Sequence, residues 1–302
     1  MSPNRLSNLA RGRRSAGFTL VELMVVIAVI GVLASLVVVA AMRAIPAARR
    51  AAIGMEIMQL SQALERYKTD MGAYPPDLVG NQQDDFQQIR QHLAGKYRNR
   101  NVAQDMDGKV LANGQAVVAP LRTNTAQSFN GLDPAESLVF WLGGFSKDPL
   151  HPVAGAGDRT VYYDFKKERL ADVDNDGYPE YYPPRVKAPY VYYNSNTYVN
   201  ALAQSLKPAG KYPFGVKGPA DTSQVVPPYL QKKPAGTNVQ TTKDLFVEPG
   251  KYQLICAGLD GVFTAPDNSN VRLYPTSDGY AGEDYDNQTS FSEGRTLEDS
   301  MP

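Results

Sequence analysis

The sequence of 302 residues has few of the side chains that usually build disulfide, thiol or imidazole centres. It contains one cysteine, Cys256, and two histidines, His92 and His151. A single cysteine excludes an internal disulfide, and its position in the apolar run KYQLIC predicts a buried structural thiol. An intermolecular link or a reactive thiol is the alternative. The histidines lack metal-ligand spacing, so we predict that both lie at the surface.

The sequence also lacks the short motifs of common catalytic sites. There is no Gly-x-Ser-x-Gly, no paired cysteine and histidine, and no glycine-rich phosphate loop with its lysine. The 31 basic residues equal the 31 acidic ones, and four of the basic residues precede Gly17. The rest of the chain is therefore mildly acidic, whereas a nucleic-acid surface needs a concentrated basic patch. We predict neither an enzyme nor a nucleic-acid-binding protein.

The longest apolar run of the chain occupies residues 17–42, with one carboxylate, Glu22, near its start. Four arginines and no acid precede the run: Arg5, Arg11, Arg13 and Arg14. About 20 apolar residues of helix span a bilayer core, so the run predicts a transmembrane helix with a cytoplasmic N-terminal end. A signal peptide is a poorer interpretation, since its apolar region has only about 7–15 residues. An ordinary membrane anchor leaves Glu22 unexplained.

The stretch Gly17-Phe18-Thr19-Leu20-Val21-Glu22 closely resembles the processing motif of type IV pilins and type II secretion pseudopilins. The resemblance implies that a prepilin peptidase cuts after Gly17 and that the new N-terminal residue, Phe18, is methylated. It also implies that Glu22 pairs with the N-terminus of a neighbouring subunit in the fibre. Such a partner would offset the cost of a carboxylate in a membrane, about 2.5–3.5 kcal/mol. The stretch ALERYKTDMGAYP at residues 63–75 also resembles major pseudopilins.

We expect an α+β fold in which a long N-terminal hydrophobic helix packs on a small antiparallel β-sheet. Residues 1–17 would be the leader, 18–71 one helix with 18–42 in the membrane, and 72–302 an extracytoplasmic domain with a loop-rich insertion at about 77–250. Spacings of three and four predict that one stripe of the helix is buried: Ile53, Ile57, Leu60, Leu64, Tyr67 and Met71. Four polar residues fall off this stripe: Glu56, Gln59, Glu65 and Lys68.

Shorter elements can also be predicted. Residues 77–100 contain a short amphipathic helix, and Asp133–Gly144 form a capped one that begins with Asp133-Pro134-x-Glu136 and carries a core tryptophan, Trp141. Residues 200–250 have no clear periodicity and are interpreted as an insertion or long surface loops. Three strands are predicted: Thr160–Phe165, Pro189–Asn194 and Lys251–Cys256. A turn at Asp260-Gly261 is predicted to lead into a returning strand.

Gly31 and Pro46 are weak points of the long helix, because glycine and proline are unfavourable in helix interiors. The resemblance implies local melting at such positions when the helix packs into a fibre. A packing notch is the equal alternative for Gly31.

An acidic loop between residues 172 and 180 follows the order of calcium ligands in an EF-hand loop. The order places three carboxylates at alternate positions, then a glycine, a backbone carbonyl and a further carboxylate: Asp172, Asp174, Asp176, Tyr178 and Glu180. Pro183 stands where the EF-hand has its bidentate glutamate, and no helix pattern flanks the loop. We predict calcium here, with a solvated acidic turn as the alternative.

A second calcium site is implied near the C-terminus, where YQLICAGLDG and GEDYDN resemble the calcium loop of major pseudopilins. The resemblance assigns side-chain ligands to Asp260 and Asp284, a backbone carbonyl to Leu259, and a further ligand to Asp286. The chain departs from that pattern by inserting residues 263–281 between the two halves of the loop.

The function that follows from the resemblance is a structural subunit of a pseudopilus or of a type IV pilus-like fibre. Its partners would be copies of itself and other pilin-like subunits, the prepilin peptidase, the inner-membrane assembly platform and the membrane. It would lie in the bacterial inner membrane as a single-pass protein and then in a periplasmic or cell-surface fibre. The alternatives are a minor or tip adhesive pilin, or a membrane-tethered binding protein or enzyme that shares the export helix.

Overall fold

The computed structural model describes residues 17–78, 82–99, 105, 132–155, 157–173, 177–196, 215–216, 224–232, 243–263 and 272–301. The chain divides into two compact units, Met1–Ala47 and Ala48–Pro302. Residues 101–132, which the sequence predicts to be a loop or hairpin region, lie outside the described residues except for Asp105 and Leu132.

The first helix, α1, spans Leu20–Met71 and includes both Gly31 and Pro46. It starts two residues later than the sequence predicts and ends where predicted. Within the first unit, apolar side chains are exposed on every side of α1. By length and composition this helix can cross a membrane. Local melting at Gly31 and Pro46 in a fibre stays a prediction.

The second unit buries the predicted stripe of α1, so the α+β expectation is confirmed. All six residues of that stripe are at most 8% exposed. The strands of the main sheet are Val191–Asn194 (β5), Tyr252–Cys256 (β8) and Gln288–Thr289 (β9). The sheet is antiparallel with strand order β5-β8-β9, and it contains the most extended pairing among the described residues.

Short hairpins and helices surround this sheet. The described antiparallel strand pairs are Phe145–Ser146 (β1) with Arg159–Thr160 (β2), Leu170–Ala171 (β3) with Glu180–Tyr181 (β4), and Gly215–Val216 (β6) with Gln224–Val225 (β7). The further helices are Gln82–Ala94 (α2), Pro134–Leu142 (α3) and Leu297–Ser300 (α4). Single 3₁₀ turns occupy Lys167–Arg169, Lys243–Leu245 and Gly282–Asp286.

Helix α3 has the predicted caps. The Asp133 carboxylate accepts from the backbone N–H of Ala135 and of Glu136 at 2.8 and 2.9 Å, and the Glu136 carboxylate accepts from the Asp133 N–H at 2.6 Å. Gly143 ends the helix. Trp141 is fully buried, and its indole N–H donates to the Pro76 carbonyl at 2.7 Å.

Several sequence predictions are wrong in detail. Of the strand expected at Thr160–Phe165, only Thr160 lies in a strand, β2. The turn at Asp260-Gly261 forms, but Val262 and Phe263 are not in a strand, and β8 pairs instead with β5 on one side and β9 on the other. The surface-loop interpretation of 200–250 fails for the parts that the structure describes, because five of their apolar side chains are buried in a second core cluster: Val226, Tyr229, Leu230, Phe246 and Val247.

The surface prediction for His92 is also wrong. Its ring stacks on Tyr67 with centroids 5.7 Å apart, and its Nε2 lies 2.9 Å from the Tyr67 hydroxyl. Burial lowers the pKa of His92 to about 4. The ring therefore packs in the core as a neutral group near neutral pH. His151 is partly buried and lies 2.8 Å from Asp148. Cys256 is fully buried as predicted.

Glu56 is predicted to lie outside the buried stripe of α1, but it is only 8% exposed. Its carboxylate accepts hydrogen bonds from the hydroxyls of Tyr190, Tyr181 and Tyr163 at 2.7, 2.9 and 3.1 Å, and forms an ion pair with the Arg169 guanidinium. Glu56 follows Ile53 by three residues and precedes Leu60 by four. It therefore faces the domain on the same side as they do.

Replacing Glu56 by Ala should strongly destabilise the domain, because it leaves a buried guanidinium and three tyrosine hydroxyls without their shared acceptor. We expect a loss of about 3–5 kcal/mol, measured by chemical denaturation of the full chain in detergent. Gln59, exposed on the same helix, provides the control: Gln59→Ala should stay within about 0.5 kcal/mol of wild type. Equal stabilities of the two variants would contradict the assigned role of Glu56.

Candidate functional site

The motif residues at the start of α1 form a closed local arrangement. Gly17, Phe18 and Thr19 precede the helix, and Thr19 occupies its N-cap. The Glu22 carboxylate accepts from the backbone N–H and the hydroxyl of Thr19, both at 2.9 Å, while the Glu22 N–H donates to the Thr19 hydroxyl oxygen at 3.2 Å. These reciprocal contacts form a capping box of the T-x-x-E type.

The capping box gives Glu22 a partner within its own chain, in addition to the neighbouring subunit that the motif implies. The spacing of Thr19 and Glu22 is itself a capping signal in the sequence. The bonds to Thr19 satisfy hydrogen-bond acceptors of Glu22 but supply no opposite charge. Phe18 beside them is 86% exposed. Gly17 and Phe18 are therefore both exposed, and the contacts with Thr19 do not neutralise the charge of Glu22.

The structure describes only part of the acidic loop at 172–180. Asp172 is exposed and accepts from the Gly177 N–H at 3.0 Å, and Gly177 has a φ of +97°, a left-handed conformation that glycine readily adopts. Asp174 and Asp176 lie outside the described residues. Tyr178 is buried and packs near Phe140, with ring centroids 6.4 Å apart.

Glu180, the last predicted ligand of this loop, has a different environment from Asp172. It is fully buried, and one of its carboxylate oxygens lies within 4.8 Å of oxygens of Asp133 and Glu136. Among the described residues, these three acids lie close enough together to hold a metal ion. The carboxylates of Asp133 and Glu136, however, already cap α3. Glu180 therefore does not fit the role of a loop ligand.

The predicted C-terminal site brings its acids together. Burial raises the pKa of Asp260, and the charges of Asp286, Glu283 and Asp284 raise it further, so the four carboxylates interact. Asp286 accepts from the Leu259 N–H at 2.8 Å. A β-carbon on Gly258 would collide with the Asp286 side chain, which explains the glycine at this position.

Asp284 does not fit the role of a calcium ligand in this arrangement. It is fully buried and lies 3.1 Å from the guanidinium of Arg272, which is itself 1% exposed. Its oxygens also accept from the Ala281 N–H at 2.9 Å and from the Asn287 side-chain amide at 3.3 Å. A cation and N–H donors thus surround the carboxylate where calcium would need open oxygen lone pairs. The predicted four-residue site is incomplete without it.

Comparison with known proteins supports the assignment of the N-terminus. Residues 12–38 match the family model described as the prokaryotic N-terminal methylation motif. Type II secretion system core protein G of Pectobacterium carotovorum is 48% identical over 64 residues, which are 21% of this chain and 41% of the relative. The proteins of that name from Klebsiella pneumoniae and Pseudomonas aeruginosa are 44% and 41% identical over 70 and 68 residues, which are 23% and 22% of this chain and 50% and 48% of the relatives.

The N-terminal region of the chain carries this methylation motif. The resemblance to pilins and pseudopilins that its motif suggests is confirmed over this region. The chain spans about half the length of the curated relatives that it matches. No solved structure matches the chain significantly.

The Thr19–Glu22 capping box can be tested by replacing Thr19 with Ala. Loss of an N-cap costs about 1 kcal/mol, so the first-turn amides should exchange hydrogen about fivefold faster in detergent micelles. Thr19→Ser retains a hydroxyl and should exchange like wild type. Unchanged exchange in Thr19→Ala would show that Thr19 does not stabilise the helix start.

Proposed function

We propose that this chain is a structural subunit of a type II secretion pseudopilus or of a type IV pilus-like fibre. A prepilin peptidase removes residues 1–17, and Phe18 becomes the methylated N-terminus. The observation that carries the proposal is the methylation motif at residues 12–38, which runs into an apolar helix of membrane-spanning length that begins at Leu20. Such a role requires no catalytic group, and we propose no enzymatic activity.

Glu22 provides the mechanism of assembly in this proposal. Before assembly, residues 18–42 hold the subunit in the inner membrane, and Thr19 satisfies the hydrogen bonds of the Glu22 carboxylate at 2.9 Å. In the fibre, the positive N-terminus at Phe18 of a neighbouring copy supplies the opposite charge. Charges attract strongly in a medium of low dielectric constant, so this pairing sets the register between subunits.

The partners follow from the same helix. Apolar side chains on all sides of its first half suit contacts with lipid and then with the helices of other pilin-like subunits. The prepilin peptidase and the inner-membrane assembly platform act on the subunit, which then lies in a periplasmic or cell-surface fibre.

Removing the charge of Glu22 should block assembly and leave processing intact. We expect Glu22→Ala and Glu22→Gln to reduce incorporation into sheared fibres about tenfold or more. An unpaired carboxylate costs about 2.5–3.5 kcal/mol in the membrane. Charge pairing in the fibre recovers this free energy, and a variant without the charge loses that driving force for assembly. Glu22→Gln is the matched control for capping, since its amide oxygen can still accept from Thr19. Mass spectrometry of each mature chain should show a methylated Phe18.

Two outcomes would contradict the proposal. Variants that are processed but enter fibres normally would exclude charge pairing as the mechanism. A mature N-terminus other than methylated Phe18 would exclude pilin-type processing.

A second candidate is a minor or tip adhesive pilin, or a binding protein that uses the same export helix. It is favoured by the length of the chain outside the matched region, because the relatives match only 63–72 of its 302 residues. Abundance in sheared fibres separates the two candidates: a main subunit dominates the fibre, whereas a tip protein is present in few copies.

We also propose that the loop around Asp172, Asp174 and Asp176 binds calcium. The sequence places carboxylates at alternate positions before Gly177, and Asp172, the one that the structure describes, is exposed. Both observations support this proposal, and the Tyr178 carbonyl would be a further ligand. Calcium there would cross-link the loop and rigidify the outer domain.

Calcium in excess over a chelator should therefore raise the melting midpoint of the full chain by several degrees, because a ligand at about 100 times its Kd adds about 2.7 kcal/mol. The double variant Asp174→Asn/Asp176→Asn should lose this response. An unchanged wild-type midpoint would exclude a stabilising calcium site.

A further inference from the structure

A buried arginine lies at the centre of the C-terminal acidic region. Arg272 and Asp284 are 1% and 0% exposed, with Nη2 of one 3.1 Å from Oδ1 of the other. Arg272 belongs to the segment 263–281 that separates the two halves of the predicted calcium loop. The residues that interrupt the expected pattern thus bring a fixed positive charge to one of its expected ligands.

The backbone holds Arg272 in this position. The Leu230 N–H donates to the Arg272 carbonyl at 2.9 Å, and the Tyr274 N–H donates to the Leu230 carbonyl at 2.8 Å, so residues 272–274 pair with Leu230. The guanidinium carbon lies 6.0 Å from the centroid of the Tyr229 ring. A cation near an aromatic face gains further electrostatic stabilisation.

Asp284 is embedded in hydrogen-bond donors besides the arginine. The Asn287 side-chain amide donates to Asp284 at 3.3 Å and to the Tyr229 hydroxyl at 3.0 Å, and the Ala281 N–H donates at 2.9 Å. Arg272, Asp284, Asn287 and Tyr229 therefore form one buried polar network. A buried carboxylate with such donors and one cation needs no external ion.

We infer that the Arg272 guanidinium takes the place of a calcium ion at Asp284, so that the C-terminal region folds independently of divalent cations. A calcium ion requires six to eight oxygen ligands, whereas a guanidinium reaches a carboxylate with N–H donors and cannot dissociate from the chain. The inference concerns folding of this region and holds whether or not the chain enters a fibre.

The test compares four forms of the full chain in detergent: wild type, Arg272→Gln, Asp284→Asn and the double variant. Hydrogen exchange of peptides covering 282–301 reports on this region alone, which separates it from the loop at 172–180. Wild-type exchange there should be the same with calcium and with chelator. Arg272→Gln should lose protection and lower the melting midpoint by about 10 °C, as expected when one partner of a buried pair is removed.

The double variant should regain most of that midpoint, because it removes the uncompensated charge together with the cation. Arg295→Gln is the matched control: its side chain is 60% exposed and lies 3.6 Å from an exposed glutamate, so its midpoint should not change. If Arg272→Gln does not fold, the double variant and Asp284→Asn still give the comparison.

Three results would overturn the inference. Calcium-dependent protection of residues 282–301 in wild type would show that the region needs the ion. An Arg272→Gln midpoint equal to that of Arg295→Gln would show that the cation is dispensable. A double variant less stable than Arg272→Gln would show that Asp284 acts through something other than the arginine.

Discussion

The contact on which the domain depends most is the one between Glu56 and its donors. A single carboxylate on α1 collects an arginine and three tyrosine hydroxyls from residues that are more than 100 positions away in the sequence. Because a buried charge must be neutralised and hydrogen-bonded, these residues can occupy only one arrangement around the helix. The apolar stripe stabilises the packing without directionality, and Glu56 fixes how the β3–β4 region and Tyr190 meet α1.

Three carboxylates of this chain face the same physical problem and meet it differently. Glu22 lies in an apolar segment and has local donors from Thr19, which leave its charge uncompensated within the described chain. Glu56 and Asp284 each have an arginine as an internal counter-ion. A carboxylate whose charge is compensated inside the domain serves stability, whereas the uncompensated charge of Glu22 agrees with the proposed pairing with a neighbouring copy.

The sequence predicts features that depend on local spacing. The α1 stripe, the Asp133–Glu136 cap and the buried Cys256 could be read from neighbours within a few residues. Features that depend on distant partners could not. Nothing local shows that Arg272 meets Asp284, that His92 stacks on Tyr67, or that Leu230 joins a core, since each needs the tertiary arrangement first. The Thr19–Glu22 cap could also be predicted from local spacing, although the motif implies a different partner for Glu22.

Residues 288–294 contact the middle of α1. The Gln288 amide donates to the Arg50 carbonyl across 238 positions, and a β-carbon on Gly54 would lie 2.5 Å from the Gly294 carbonyl oxygen, so two glycines permit backbone contact here. Pairings of such long sequence separation form late. The Arg50–Gly54 part of α1 consequently lacks this contact until residues 288–294, more than 230 positions further along the sequence, have folded onto it.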